Sequence, residues 1–181
     1  MKINLRRVTT GAVLIAAASA FLFCTGFTKA SDHGNHENGY LKSATYYSDD
    51  WVINFWNSES SHMDEELKQI REDGFNSIIL VVPWREFQPS MAPEHYNDYA
   101  WEKFDRVMKA AKAQDLKVML RVGYTWDYYS SENVLARYEK LLYDSETKKA
   151  WLHYAKRLYE KASAYDNFSG GFITWEDFWN F

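Results

Sequence analysis

Carboxylates and tryptophans follow the predicted strands of this sequence, and their types and spacing could do chemistry. Glu176 and Asp177 come directly after an apolar run that ends at Trp175, and Asp127 lies in the aromatic segment 124–129. Paired carboxyl groups can act as general acid and base. Flat aromatic rings can stack on the C–H faces of sugars, while carboxylates accept hydrogen bonds from hydroxyl groups. These residue types favour a carbohydrate site.

The tryptophans are concentrated where predicted strands end. Five of the eight occupy such positions: Trp56, Trp84, Trp126, Trp175 and Trp179. In a parallel sheet, the carboxyl ends of the strands meet at one edge, and binding sites form there. We therefore expect seven residues to bind a poly- or oligosaccharide: Trp56, Trp84, Arg121, Trp126, Asp127, Tyr128 and Trp179. The alternative is that these aromatic residues only cap the core.

Strand alternation separates inward from outward side chains. If Ile173 packs outward against helices, Glu176 points inward at the end of its strand. Crowding by aromatic rings disfavours an ionised carboxylate and keeps a proton on it, which suits a general acid. Arg121 shares a face with Met119 and is also predicted to point inward, where a guanidinium can orient a carboxylate. A structural ion pair is the alternative for Arg121.

Short apolar runs alternate with amphipathic stretches at helical spacing along the chain. One such stretch, predicted to be a helix, places its apolar residues on one stripe: Trp101, Phe104, Val107, Met108 and Ala111. The predicted strands are 51–56, 77–82, 117–122 and 172–175. This order indicates an α/β fold with a parallel sheet. We expect a partial (β/α)8 TIM barrel of about four βα units, with a small open sheet as the alternative. A full barrel needs about 250 residues, so half of a barrel would be missing from this chain.

The amino terminus has the pattern of a secretion signal. A basic start, an apolar run over 8–27 and a small-x-small site at 28–30 predict a cleavable signal peptide over 1–30, and hence a secreted or periplasmic protein. Since about twenty apolar residues can also span a bilayer, an uncleaved anchor over 8–27 is the alternative. Residues 31–49 are predicted to be a flexible linker, and 50–181 the incomplete barrel domain.

Composition excludes several other classes of protein. With 46% hydrophobic residues, the chain is not intrinsically disordered. The formal net charge of −4 argues against a nucleic-acid partner. The single cysteine, Cys24, lies within the predicted signal, so the core must stabilise the domain without disulfides. Phosphate-binding loops and Cys/His metal spacings are missing from the sequence, and we expect neither a cofactor nor a metal.

Four segments resemble a known family when they are read in order. They are 73–80 (DGFNSIIL), 83–89 (PWREFQP), 99–107 (YAWEKFDRV) and 110–121 (AAKAQDLKVMLR). Together they resemble the first half of a retaining glycosidase of the large (β/α)8 clan that includes β-galactosidase, xylosidase and cellulase types. The resemblance covers approximately the region from Trp51 to Trp179.

The resemblance implies a role for Glu176. The acid/base glutamate of that clan lies at the end of strand four, which Glu176 matches. Two features depart from the clan's pattern. Trp175 stands where the clan usually has asparagine, which leaves Asp177 as an alternative acid. The clan's nucleophile is a glutamate at the end of strand seven, which is not in this sequence, so Glu59, Glu86 or Asp127 would have to supply a second carboxylate.

Two other interpretations remain open. The aromatic rim could belong to a carbohydrate-binding domain that does not catalyse hydrolysis. Alternatively, the chain could be an inactive fragment, in which the unpaired edges of the first and fourth strands would favour self-association. A complementary half-barrel chain is a further partner that the sequence allows.

Overall fold

Four parallel strands form the sheet that carries the candidate site. The computed structural model describes residues 40–122 and 140–173, and from Leu41 onward these belong to one compact unit. The strands of this sheet, in spatial order, are β1 (Ser43–Thr45), β2 (Ser77–Val81), β5 (Lys117–Val122) and β6 (Phe168–Ile173). All three pairings between them are parallel. The predicted α/β class with a parallel sheet is confirmed.

Helices connect the strands and cover one face of the sheet. They are α1 (Met63–Glu72), α2 (Trp84–Phe87), α3 (Asp98–Ala113) and α4 (Ser145–Ala162). A 3₁₀ turn spans Asn54–Asn57, and β3 (Ser90–Met91) pairs with β4 (Glu94–His95) in a separate short hairpin. Asn97 and Asp144 cap the amino termini of α3 and α4 by accepting hydrogen bonds from the backbone N–H groups of Ala100 and Thr147.

The predicted helical stripes form the core between the helices and the sheet. On α3, Trp101, Phe104, Val107, Met108 and Ala111 are all buried. They pack in one cluster with the helix-facing residues of β2 and β5, which include Leu80 and Leu120. This burial of apolar surface is the main source of stability for the α/β layers.

The opposite face of the sheet, which we call the inner face, is defined by Ile79, Val81, Met119, Arg121 and Phe172. In the strand register, Ile79 of β2 is the partner of Met119 of β5. Arg121 of β5 lies between Val81 of β2 and Phe172 of β6. In β5 the inner-face residues are half-buried, whereas the helix-facing residues are buried. In β2, Val81 is buried on the inner face by Val52 and Ile53. At its carboxyl end, β2 is therefore covered on both faces.

The predicted first strand, over 51–56, is wrong. This segment leads into the 3₁₀ turn, in which Phe55 and Trp56 join the helix-side core while Val52 and Ile53 pack on Val81. The apolar residues of this segment therefore pack on both faces of the sheet from a turn, and they do not alternate along a strand. The first strand is Ser43–Thr45, inside the segment predicted as linker. Its three small residues carry little apolar signal.

The fourth strand begins earlier than predicted. It starts at Phe168 instead of residue 172, and the glycine pair at 170–171 lies inside it. The predicted signal peptide and anchor lie outside the described residues, as do residues 31–39 of the predicted linker and residues 174–175 of the fourth predicted strand. Among residues 40–122 and 140–173, no helix combines the length and apolar character of a membrane span.

Candidate functional site

Trp56 lies in the core at the carboxyl end of the sheet. Its side chain is fully buried, and its indole N–H donates to the backbone carbonyl of Val81 at 2.8 Å. Its ring packs edge-on against Phe87, with centroids 4.6 Å apart, and is stacked at 6.3 Å with Phe104. A ring covered in this way cannot stack on a sugar. The prediction that Trp56 binds substrate is therefore wrong.

Trp84 is buried in the same layer. Its indole N–H donates to Gln88 Oε1 at 2.6 Å, and its ring stacks on Tyr154 with centroids 6.2 Å apart. Tyr154, from α4, donates its hydroxyl to the backbone carbonyl of Val82 at 2.9 Å. The prediction that Trp84 binds substrate is also wrong, because the ring anchors α2 and α4 to the end of β2. Capping of the core was the correct alternative for both tryptophans.

Arg121 lies on the inner face near the carboxyl end of β5. Its strand neighbours in register are Val81 and Phe172. The helix-facing residues Val118, Leu120 and Val122 alternate with it and are buried. Its position therefore places a guanidinium-bearing residue between the ends of β2 and β6.

Five predicted site residues lie outside the described residues. They are Trp126, Asp127, Tyr128, Glu176 and Trp179. Glu176 follows the end of β6 by three positions in the sequence. Its role as general acid and the role of the aromatic segment after β5 remain predictions.

The described candidate carboxylates, Glu59 and Glu86, make hydrogen bonds with residues of the connecting segments. Glu59 accepts the hydroxyl of Tyr99 at 2.7 Å and pairs with Arg106 at 3.9 Å. Glu86 accepts from the side-chain amide of Asn57. Tyr99 and Arg106 belong to α3 and Asn57 to the 3₁₀ turn, so both carboxylates are tied to elements that lie over the helix-side core.

Asn97 extends the contacts of Asn57 and Glu86 into a small polar network. Its side-chain amide donates to Asn57 Oδ1 at 2.8 Å and to the backbone carbonyl of Glu86 at 3.0 Å. Its backbone N–H donates to the carbonyl of Phe87 at 2.9 Å. This network fixes the 3₁₀ turn, α2 and the start of α3 relative to one another.

Lys103 is a buried cation that the sequence analysis did not identify. Its side chain is fully buried, and its ammonium donates to the backbone carbonyls of Phe55 and Ser58. The ammonium also lies 3.8 Å from the ring centroid of Phe55. Burial lowers the pKa of Lys103 to about 8. The lysine therefore holds the 3₁₀ turn on α3.

Trp51 is a second residue that the sequence analysis did not place in the site. Its side chain is 57% exposed, whereas Trp56, Trp84 and Trp101 are buried. Alternation in the predicted first strand gave no reason to single it out. Trp51 lies beside the inner face, because the next two residues, Val52 and Ile53, pack on Val81.

The described residues show no cluster of metal ligands. His62, His95 and His153 are each exposed. Within 40–122 and 140–173, no group of three His, Cys, Asp or Glu side chains is arranged to hold a metal ion.

Comparison with solved structures identifies the fold. GH5_18 from Bifidobacterium longum subsp. longum ATCC 55813, solved as a single-residue variant in complex with Manb1-4GlcNAc, matches with a TM-score of 0.59 and 19% identity over 74% of this chain and 33% of that chain. The exo-beta-1,4-mannosidase Op5Man5 from Opitutaceae bacterium strain TAV5 matches with a TM-score of 0.56 and 16% identity over 67% of this chain and 22% of that chain. Cel5A from Thermotoga maritima, in complex with cellobiose, matches with a TM-score of 0.53 and 17% identity over 74% of this chain and 40% of that chain.

These matches show the fold of part of a GH5-type barrel. The chain spans about a third of the length of the GH5_18 structure that it matches. No protein-family model and no curated protein matches the sequence. The partial TIM barrel predicted from the order of strands and helices is confirmed.

Proposed function

We propose that this chain forms the first half of the barrel of a secreted glycoside hydrolase, which cleaves O-glycosidic bonds in a poly- or oligosaccharide. The main support is the match of the parallel sheet and its helices to GH5-type barrels over 74% of the chain. The predicted signal peptide over 1–30 supports secretion. The aromatic and carboxylate residues that follow the strands in sequence support a sugar substrate.

The solved neighbours suggest which substrates to test first. One holds Manb1-4GlcNAc, a second is named an exo-beta-1,4-mannosidase, and a third holds cellobiose. We therefore propose a β-1,4-linked manno- or gluco-oligosaccharide as the substrate class.

Glu176 is the proposed general acid/base. A protonated Glu176 would transfer its proton to the oxygen of the departing sugar as the glycosidic bond breaks, and would then deprotonate the attacking water. Arg121, on the inner face in register with Phe172 of β6, is proposed to orient a carboxylate or a sugar hydroxyl.

Retention of configuration requires a second carboxyl group about 5 Å from the first. Glu59 and Glu86 are bound to helix-side elements, and we propose neither as the nucleophile. We propose instead that the nucleophile comes from the strands that complete the barrel. These strands would come from further sequence on the same polypeptide or from a complementary half-barrel chain.

A hydrolysis assay tests this proposal. The gene is expressed with any coding sequence that follows Phe181 in frame, and β-1,4-linked manno- and cello-oligosaccharides are supplied as substrates. Glu176→Gln is expected to lower kcat by at least about 100-fold, because the general acid is lost. Substrates with an activated aryl leaving group need less acid assistance, so the loss of kcat should be smaller for them.

Asp177→Asn is the matched control. It changes the neighbouring carboxylate, and it is expected to keep most of the activity. Undiminished hydrolysis by Glu176→Gln, together with loss of activity in Asp177→Asn, would move the acid role to Asp177. Binding without hydrolysis by the unaltered protein would favour the non-catalytic binding domain.

A further inference from the structure

Trp51 is the described tryptophan that is available to a ligand. Its side chain is 57% exposed, whereas Trp56, Trp84 and Trp101 are 4% exposed or less. Trp151, on α4, is partly buried and packs against the helix-side core. Among the described residues, an exposed indole face at the carboxyl end of the sheet is therefore provided by Trp51.

The neighbours of Trp51 place it beside the inner face. Val52 and Ile53 directly follow it and pack on Val81, the last residue of β2. Arg121 is the register partner of Val81 on the next strand. Arg121 and the segment that carries Trp51 therefore lie on the inner face near the end of β2.

The backbone around Trp51 is held in place. Its carbonyl accepts the backbone N–H of Phe55 at 3.0 Å. The preceding residue, Asp50, donates its backbone N–H to the carbonyl of Tyr47 and accepts the hydroxyl of Ser58 on its carboxylate. An indole on a fixed backbone loses little conformational freedom when it binds a ligand.

We propose that Trp51 stacks on a pyranose ring of the bound oligosaccharide at the mouth of the barrel. This inference rests on the proposed function and assigns a specific sugar-binding residue to it. The exposed indole supplies an apolar face for the C–H surface of the sugar, and binding buries that face.

Affinity electrophoresis measures binding of soluble glucomannan, which contains both β-1,4-linked mannose and glucose, to the protein expressed with any in-frame coding sequence that follows Phe181. Trp51→Ala is expected to weaken binding about tenfold, whereas Trp51→Phe, which keeps a flat ring, is expected to weaken it less. Leu152→Ala is the matched control, since Leu152 is 40% exposed on α4 and should leave binding unchanged.

A second measurement does not depend on a variant. Limited oxidation by N-bromosuccinimide, mapped by mass spectrometry, should modify Trp51 in the free protein and leave it protected when glucomannan is bound. Trp56 and Trp84 should resist oxidation in both samples because they are buried.

The outcomes separate the two proposals. If the unaltered chain binds glucomannan but Trp51→Ala binds equally well, or Trp51 is not protected, the role of Trp51 is wrong and the proposed function stands. If the unaltered protein, expressed with that following sequence, binds neither glucomannan nor mannan nor cellulose, the sugar-binding function is overturned, and the role of Trp51 falls with it.

Discussion

At the scale of single residues, Lys103 shows how the fold places a charge in the core. Its ammonium is fully buried beneath the 3₁₀ turn and donates to two backbone carbonyls. Removal from water lowers the pKa of Lys103 to about 8, although the negative charges of Asp50, Glu59 and Glu66 oppose that shift. A neutral amine keeps two N–H donors, enough for both carbonyls.

The lowered pKa predicts how stability depends on pH. Between about pH 8 and 10, the folded protein has released the proton of Lys103, whereas the unfolded chain still binds it. The free energy of unfolding should therefore rise with pH in this window, by up to about 1.4 kcal/mol per pH unit. Urea unfolding at pH 7.5, 8.5 and 9.5 measures this slope, and Lys103→Met is expected to abolish it.

Lys109→Met is the control for this prediction. Lys109 is an exposed lysine on the same helix, and its substitution should keep the slope of the unaltered protein. Above pH 10, the raised pKa values of Tyr96 and Tyr165, each about 12, lower stability as pH rises. The comparison is therefore confined to pH values below 10, and an equal slope in Lys103→Met would contradict the prediction.

At the scale of elements, β6 can approach β5 and α4 only because residue 171 is glycine. A Cβ atom at Gly171 would lie 2.5 Å from the hydroxyl oxygen of Tyr159 on α4 and 2.8 Å from the backbone carbonyl oxygen of Leu120 on β5. Both distances are too short for real contacts.

Gly171→Ala is expected to lower the free energy of unfolding by about 1 to 3 kcal/mol, because the added methyl group forces β6 away from its neighbours. Chemical denaturation measures the change. Adding Tyr159→Phe removes one of the two clashes and should restore part of the loss, because the Leu120 carbonyl remains. Ser169→Ala, at an exposed position of the same strand, is the control. Unchanged stability in Gly171→Ala would show that β6 pairs differently.

At the scale of the whole molecule, the described sheet has two outer strands and a partly open inner face. In the order β1-β2-β5-β6, the outer strands are β1 and β6, and the inner-face residues Ile79, Met119 and Phe172 are only half-buried. Exposed strand edges and apolar faces favour pairing with another chain. We therefore expect the 181-residue chain to self-associate when no complementary half is present.

Sedimentation velocity over a range of protein concentrations tests this expectation. Ile173 is 48% exposed at the end of β6, and Ile173→Lys should shift association to higher concentration because a charge disfavours edge pairing. Leu152→Lys makes the same chemical change on α4 and should leave association unaltered. A chain that stays monomeric up to about 100 μM would show that the sheet is covered in solution.

The strands and helices that surround the candidate site could be predicted from the sequence, but the burial of individual side chains could not. Continuous apolar runs predicted β2 and β5, and helical spacing predicted the buried stripe of α3. The same sequence pattern could not distinguish an exposed tryptophan from a buried one. Trp56 ends one apolar segment and Trp84 follows β2, which are positions expected for residues that stack on a sugar. Both are nevertheless buried in the helix-side core.

The layers of this protein are predictable from its sequence, because the spacing of apolar residues is a local property of each strand and helix. The sequence therefore predicted the α/β class, the positions of β2 and β5, and the inward-facing side of Arg121 and Met119 in β5. Which residues at the carboxyl end of the sheet face the helices, and which face the inner side, follows from the tertiary structure instead. That choice depends on how the 3₁₀ turn crosses the end of β2, with Phe55 and Trp56 on one side and Val52 and Ile53 on the other. It also depends on Lys103, which lies 48 positions after Phe55 in the sequence and donates to the Phe55 carbonyl in that turn.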